Sequence, residues 1–131
     1  MPKYSDLSKE RLETCHPSLI LLFNTVIKGW DCTILCGHRT KGEQDRLFDS
    51  GRSKLRYPYS KHNQFPSQAV DVSPHPIDWN DLGSFYMFAG YVIRISESLG
   101  IRIRYGGDWD GDKKTADQTF NDLPHYELLI L

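Results

Sequence analysis

"YPYSKHNQFPSQAVDVSP", residues 57–74, changes character part-way along. Through Gln68 it carries Pro58, Pro66 and a mixture of polar and basic side chains with no useful period, and so reads as the end of a long loop over 52–68. From Ala69 the run Ala-Val-Asp-Val-Ser alternates as a strand does, with Val70 and Val72 on one face and Asp71 and Ser73 on the other. An aspartate therefore enters a sheet directly from a loop that bears His62, nine positions earlier. Long ordered loops often carry function, and a strand is a rigid support from which to aim a side chain.

On the N-terminal side, Pro17 opens a helix whose Leu19, Leu22, Phe23 and Val26 recur at helical spacing. "TILCG" reads as a strand, and Thr40 with Glu43 forms a capping box for a helix through "KGEQDRLFDS", closed by Gly51. His38 and Arg39 then stand at a strand-to-helix junction. On the C-terminal side, Asn80 is the expected cap of a helix that buries Phe85, Phe88, Val92, Ile95 and Leu99 and ends at Gly100. "IRIRY" and the closing "HYELLIL" read as two more strands. The expected architecture is α+β: a small single domain over 1–131, helical to about residue 30, with helices on a central antiparallel sheet.

Length and composition agree with one core, at 131 residues and 39% hydrophobic. Sixteen basic against 17 acidic residues give a net charge of -1, which supplies no general attraction to nucleic acid or to anionic lipid. The start, "MPKYSDLSKERLETCHP", lacks the apolar stretch of a secretory signal, and no run reaches membrane-spanning length. A soluble chain made in the cytoplasm, monomeric and without stable membrane association, is expected. Cys15, Cys32 and Cys36 are odd in number and read as reduced thiols. In the strand "CTILC" two thiols would stand about 13 Å apart, too far to share an ion, so Cys32 and Cys36 are taken for small buried hydrophobes.

The histidines divide by context. His16 precedes Pro17 and helps begin a helix, His75 is held between Pro74 and Pro76 in a turn, and His38 stays ambiguous. His62 and His125 each lie at a loop-to-strand transition with carboxylates nearby. In "NDLPHYEL", Pro124 biases Leu123 toward extended backbone, which places Asp122 just outside the strand beginning near His125. Glu127, two residues on and on the same strand face as His125, could be a ligand, an outer partner or a surface charge; an outer partner is preferred. His62, His125 and Asp71 together would make an open zinc site with room for water, although their spacing follows no helical or strand period.

Four segments carry a resemblance. "SKHNQFPSQAVD" resembles the Ser-x-His, Ala-x-Asp signature of the D-alanyl-D-alanine carboxypeptidase and VanY-like zinc peptidases, and "NDLPHYEL" resembles their closing acid-x-x-His strand. "CGHRTKGEQDRLF" and "YGGDWDGD" resemble two further segments of that family, in the same order from about residue 30 onward. The short form with Asp ahead of the last His is similar to phage endolysins that act as L-alanyl-D-glutamate peptidases. One departure stands out: "NQFPSQ" puts Pro66 and Ser67 where the familiar pattern has a glycine in a shorter gap.

The resemblance implies that His62, Asp71 and His125 bind zinc, that Asp122 is the general base, and that Arg39 steadies an oxyanion or a substrate carboxylate. Ser60 and Gln44 are further candidates to hydrogen-bond a peptidoglycan stem peptide, and Trp109 a candidate to line the cleft. Asp108, Asp110 and Asp112 alternate, but an EF-hand would need Gly and Glu where Lys113 and Thr119 stand, so a solvated loop is preferred there, with a weak regulatory cation site as the alternative. Cleavage of an L-alanyl-D-glutamate bond is the preferred activity and of a D-alanyl-D-alanine bond its nearest rival. A non-catalytic zinc-stabilised wall-binding module is a second class, disfavoured by Asp122, and nucleic-acid binding through Arg102, Arg104, Lys113 and Lys114 a third, disfavoured by the charge balance.

Overall fold

Each of the four α-helices among the described residues opens on a side chain that accepts from an otherwise unpaired backbone N–H. The computed structural model describes residues 2–114 and 122–129. Ser5 caps α1 (Asp6–Glu13), and His16 caps α2 (Pro17–Val26) through Nδ1, which accepts from Ser18 N at 3.0 Å. Thr40 and Glu43 close the expected reciprocal capping box of α3 (Lys41–Asp49). The long α4 (Leu82–Leu99) is capped by Asp81 and not by Asn80, because Asn80 is already drawn into a turn in which its N–H donates to Asp78 Oδ1. Gly100, with φ of 70°, ends α4 as expected.

The strands β1 (Cys32–Cys36), β2 (Ala69–Pro74), β3 (Ile103–Tyr105) and β4 (His125–Leu128) form one sheet in the order β1-β2-β4-β3, every neighbouring pair antiparallel. This is the expected α+β architecture, with shorter last strands: β3 begins at Ile103, and β4 ends at Leu128. Ile130 and Leu131 of the expected final strand, Asn121 of the preceding turn and Thr119 lie outside the described residues.

One sheet face is apolar. Val70 and Val72 of β2, Tyr126 of β4 and Ile34 of β1 are fully buried beneath Leu19, Leu22, Phe23 and Val26 of α2 and Phe88 and Val92 of α4. Phe23 meets Tyr126 edge-on with ring centroids 5.4 Å apart. Each such side chain contributes about 1.5–3 kcal/mol on removal from water. The outer backbone of β1 is covered by α1: Ile34 N donates to Ser8 Oγ and Ile34 O accepts from Arg11 Nη1 at 3.0 Å, so this strand offers no open edge there.

The register fixes what the other face carries. Val70 pairs with Tyr126, Asp71 with His125 and Ala69 with Glu127, which sets Asp71, His125 and Glu127 together on the side away from the helices. An irregularity between Ile34 and Cys36 brings Cys36 opposite Asp71 and turns the chain toward Arg39. Within the long loop, a 3-10 helix (Lys61–Asn63) capped by Ser60 delivers His62, anchored as Arg39 N donates to His62 O at 2.8 Å.

Candidate active site

His62, Asp71 and His125 converge as expected, each offering one ligand atom, with all three atoms within 4.8 Å of one another. His62 Nε2 is 3.2 Å and His125 Nδ1 3.3 Å from the same oxygen, Asp71 Oδ1. Donors bound at 2.0–2.2 Å to a tetrahedral ion stand roughly 3.3 Å apart, so the set fits a small divalent metal. The outer nitrogens support that fit. His62 Nδ1–H donates to Gly37 O at 2.7 Å and His125 Nε2–H to Glu127 Oε1 at 2.8 Å, which leaves the inner nitrogens as the ones with lone pairs to give.

Outer groups hold this arrangement. Arg39 Nη2 donates to Asp71 Oδ2 at 3.0 Å, so the two carboxylate oxygens are divided between the guanidinium and the ligand cluster. Glu127, the preferred outer partner of His125, also pairs with Arg104 at 3.0 Å and Lys61 at 3.2 Å through Oε2. Burial pushes the Glu127 carboxyl up, but the hydrogen bond and charge of His125, then Arg104 and Lys61, bring it down to about 2. Burial likewise opposes ionisation of Asp71, and the two imidazoles overcome it, holding the carboxyl well below its usual range. For His62 burial favours the neutral ring, yet the Asp71 carboxylate raises it to about 10 in the absence of metal.

Asp122 sits beside the cluster with Oδ2 3.9 Å from His125 Nδ1 and its side chain 38% exposed, open to the cleft in front. Burial, and next the charge of Asp71, raise its pKa, which favours uptake of a proton. Its backbone is fixed by Gly106, whose N–H donates to His125 O and whose carbonyl accepts from Asp122 N at 2.9 Å. A Cβ on Gly106 would stand 2.0 Å from Asp122 O, so only glycine allows this approach.

The cleft encloses about 380 Å³ and is lined by Arg39, Ser60, Trp109 and Asp122 together with the two histidines. Trp109 is half-buried, its ring centroid 5.3 Å from that of His125, and stands in the cleft wall. Ser60 is also at the wall, with its Oγ accepting from His62 N. Gln44 is not. It is 0% exposed: Nε2 donates to Ser53 Oγ and Leu55 O, while Oε1 accepts from Arg39 Nη1 and Asn63 Nδ2, and nothing remains for a substrate. Gln44 is a buried cross-brace between Arg39 and the loop beyond α3.

Cys36 also differs from expectation. Cys15 and Cys32 are buried hydrophobes whose thiols burial drives to about 12, but Cys36 is half-buried with Sγ accepting from Arg39 Nε at 3.3 Å. Burial raises its pKa, and His62 with Arg39 more than offset that. Read as one regular strand, "CTILC" places it with Cys32 among the buried hydrophobes; the irregularity in β1 is what turns it toward the site. His38 lies edge-on to Phe65, outside the ligand set. In the acidic turn, Asp108 is buried and Asp110 and Asp112 exposed, and all three accept from backbone N–H groups of residues 112–114.

A buried trio of metal-type donors opens on a cleft with a carboxylate at hand, the parts from which a metal-dependent hydrolase is built. A family described as phage L-alanyl-D-glutamate peptidase matches residues 1–129. The L-alanyl-D-glutamate peptidase of Escherichia phage T5 is 30% identical over 135 residues, covering 97% of this chain and 98% of that protein. The crystal structure of the Serratia marcescens L-Ala D-Glu endopeptidase ChiX superposes with a TM-score of 0.75 at 24% identity, over 97% of this chain and 90% of that one, which shows the same fold. The chain belongs to the phage L-alanyl-D-glutamate peptidase family, and is a peptidase of the endolysin type.

Proposed function

We propose that residues 1–131 form a single zinc peptidase domain that hydrolyses the L-alanyl–D-glutamyl bond of the peptidoglycan stem peptide. The observation that carries this reading is the convergence of His62 Nε2, His125 Nδ1 and Asp71 Oδ1 beside Asp122 at the floor of the cleft. Two imidazole nitrogens and one carboxylate oxygen are a zinc donor set that leaves a coordination place open. Zinc held there supplies Lewis acidity, polarising a scissile carbonyl and making water acidic enough to ionise near pH 7.

The chain's own groups do the rest. Asp122 takes the proton of the attacking water and passes it to the departing amine, a role its raised pKa and partial exposure favour. Arg39 spends one N–H each on Asp71, Gln44 and Cys36; of the five a guanidinium carries, one on each terminal nitrogen remains for an oxyanion. Glu127 keeps His125 oriented. Ser60 and Trp109 line the path of the peptide. No described helix is long and apolar enough to cross a membrane. In this reading the protein is a monomer made in the cytoplasm that reaches the wall after release.

Digestion of purified peptidoglycan with and without a chelator, followed by mass spectrometry of new amino termini, tests the proposal. New N-terminal glutamate that disappears with chelator is expected. Release of alanine from the stem terminus would move the activity to a D-alanyl-D-alanine carboxypeptidase, and intact peptidoglycan would leave a non-catalytic module. Asp122→Asn should retain zinc yet lose about 100- to 10,000-fold in kcat.

A further inference from the structure

Five cations line the cleft, in a chain whose overall charge is -1: Arg39, Arg52, Lys54, Lys61 and Arg104. Three have carboxylate partners already. Arg39 is bound to Asp71, and both Lys61 and Arg104 to Glu127, with Arg104 also over the Trp109 ring at 5.1 Å. Arg52 differs from these, being exposed at the rim and making no ion pair among the described residues.

Its backbone, in contrast, is firmly held. At the end of α3, Gly51 N donates to Phe48 O at 3.1 Å and Arg52 N to Leu47 O at 2.9 Å, the paired bonds of a Schellman motif. Gly51 has φ of 79°, a conformation that glycine adopts without strain. Ser53 N donates to the same Leu47 O, and buried Gln44 fastens Ser53 and Leu55 from beneath. A permanently charged, planar fork thus projects from a braced turn at the mouth of the cleft, with its charge uncommitted. The backbone beneath it is already ordered when a ligand arrives, so only the side chain remains to be fixed.

We propose that Arg52 is a specificity-determining residue, the receptor for the free carboxylate of the glutamyl residue on the departing side of the cut. The inference rests on the L-alanyl–D-glutamyl reading above. A glutamyl residue has two carboxyl groups and needs only one to continue the chain, so the substrate brings a negative charge within a few bonds of the reacting carbonyl. A guanidinium binds a carboxylate through two parallel N–H donors, and among the described residues nothing engages those of Arg52. Arg39, tied to Asp71, is then left to the reacting oxygen.

The test uses zinc-loaded enzyme and two synthetic stem peptides, one with the glutamyl carboxylate free and the other with it converted to the amide. Arg52→Ala should lower kcat/KM on the acidic peptide by about 10- to 100-fold, mainly through KM, and its loss on the amide should be at least tenfold smaller. Arg52→Lys should recover part of the preference for the acid, since it keeps the charge and gives up the fork. Zinc content and melting temperature should match those of the wild type. Equal losses on both peptides, or no loss on the acidic one, would overturn the assignment while leaving the activity intact. If the wild type cuts neither peptide between alanine and the glutamyl residue, the activity reading falls and Arg52 with it.

Discussion

Val70 and Tyr126 pair across β2 and β4 beneath the helices, and one step along the same strands Asp71 and His125 pair on the opposite side. The first pair is fully buried among apolar neighbours and depends on volume. The second lies within a mesh of charges, where Asp71 touches His62, His125 and Arg39, and His125 in turn touches Glu127. The apolar core and the charged site thus share two strands without sharing side chains. A slip of one residue in β4 would bring the tyrosine into the site and the histidine into the core, so a single register has to satisfy both.

The sharpest way to separate the faces is a pair of truncations. His125→Ala should abolish zinc retention and lower activity by at least about 1,000-fold, and it should also lower the metal-free melting temperature by taking a partner from the buried Asp71 and Glu127 carboxylates. Val72→Ala, on the buried face, should cost about 2 kcal/mol in denaturant unfolding and keep zinc in stoichiometric amount. Measured zinc content and unfolding free energy that fell together in both variants would show that the faces are not independent.

Next in size is a pH effect confined to the charged face. Burial lowers the His62 pKa, but the Asp71 carboxylate outweighs it and holds the metal-free ring at about 10. A pKa raised on folding stabilises the native state fully below the unfolded value, about 6.5, and the contribution disappears as pH climbs through the folded value. The melting temperature of metal-free protein should therefore fall between about pH 6.5 and 10, whereas the zinc-loaded protein, its imidazoles neutral as ligands, should lack this component. Coincident profiles with and without metal would show that Asp71 does not hold the proton on His62.

The smallest effect concerns a polar atom on the dry side. Tyr126 Oη is buried with no hydrogen-bond partner among the described residues. Tyr126→Phe should be neutral or stabilising by up to about 1–2 kcal/mol in thermal unfolding, with zinc content unchanged. A clear destabilisation would show that the hydroxyl has a partner after all.

Much of this was legible in residue order. Alternation in Ala69–Ser73 separated Val70 and Val72 from Asp71, and the Thr40–Glu43 box placed Arg39 ahead of α3, because both signals are local. The trio itself depended on resemblance, since His62 and Asp71 meet through a 3-10 turn that has no sequence period. Gln44 was misread because a glutamine at the start of a polar helix looks solvent-exposed; only the return of residues 53–55 over it, and the inward reach of Arg39, bury it. Cys36 was misread because the irregularity in β1 leaves no mark in "CTILC". The division of the N-terminal part into α1 and α2 was equally hidden: α1 turns only Ser8 and Leu12 inward, too few positions for a pattern.

The Asp71–His125 pairing joins positions 54 residues apart in the chain. Of the three proposed donors, His62 and Asp71 lie nine positions apart, and the third is brought to them only by β4. Closure of so long a loop is among the slower events of folding. On the proposed reading the donor set is complete only once β2 has paired with β4, so metal capture and the closing of that loop are a single event.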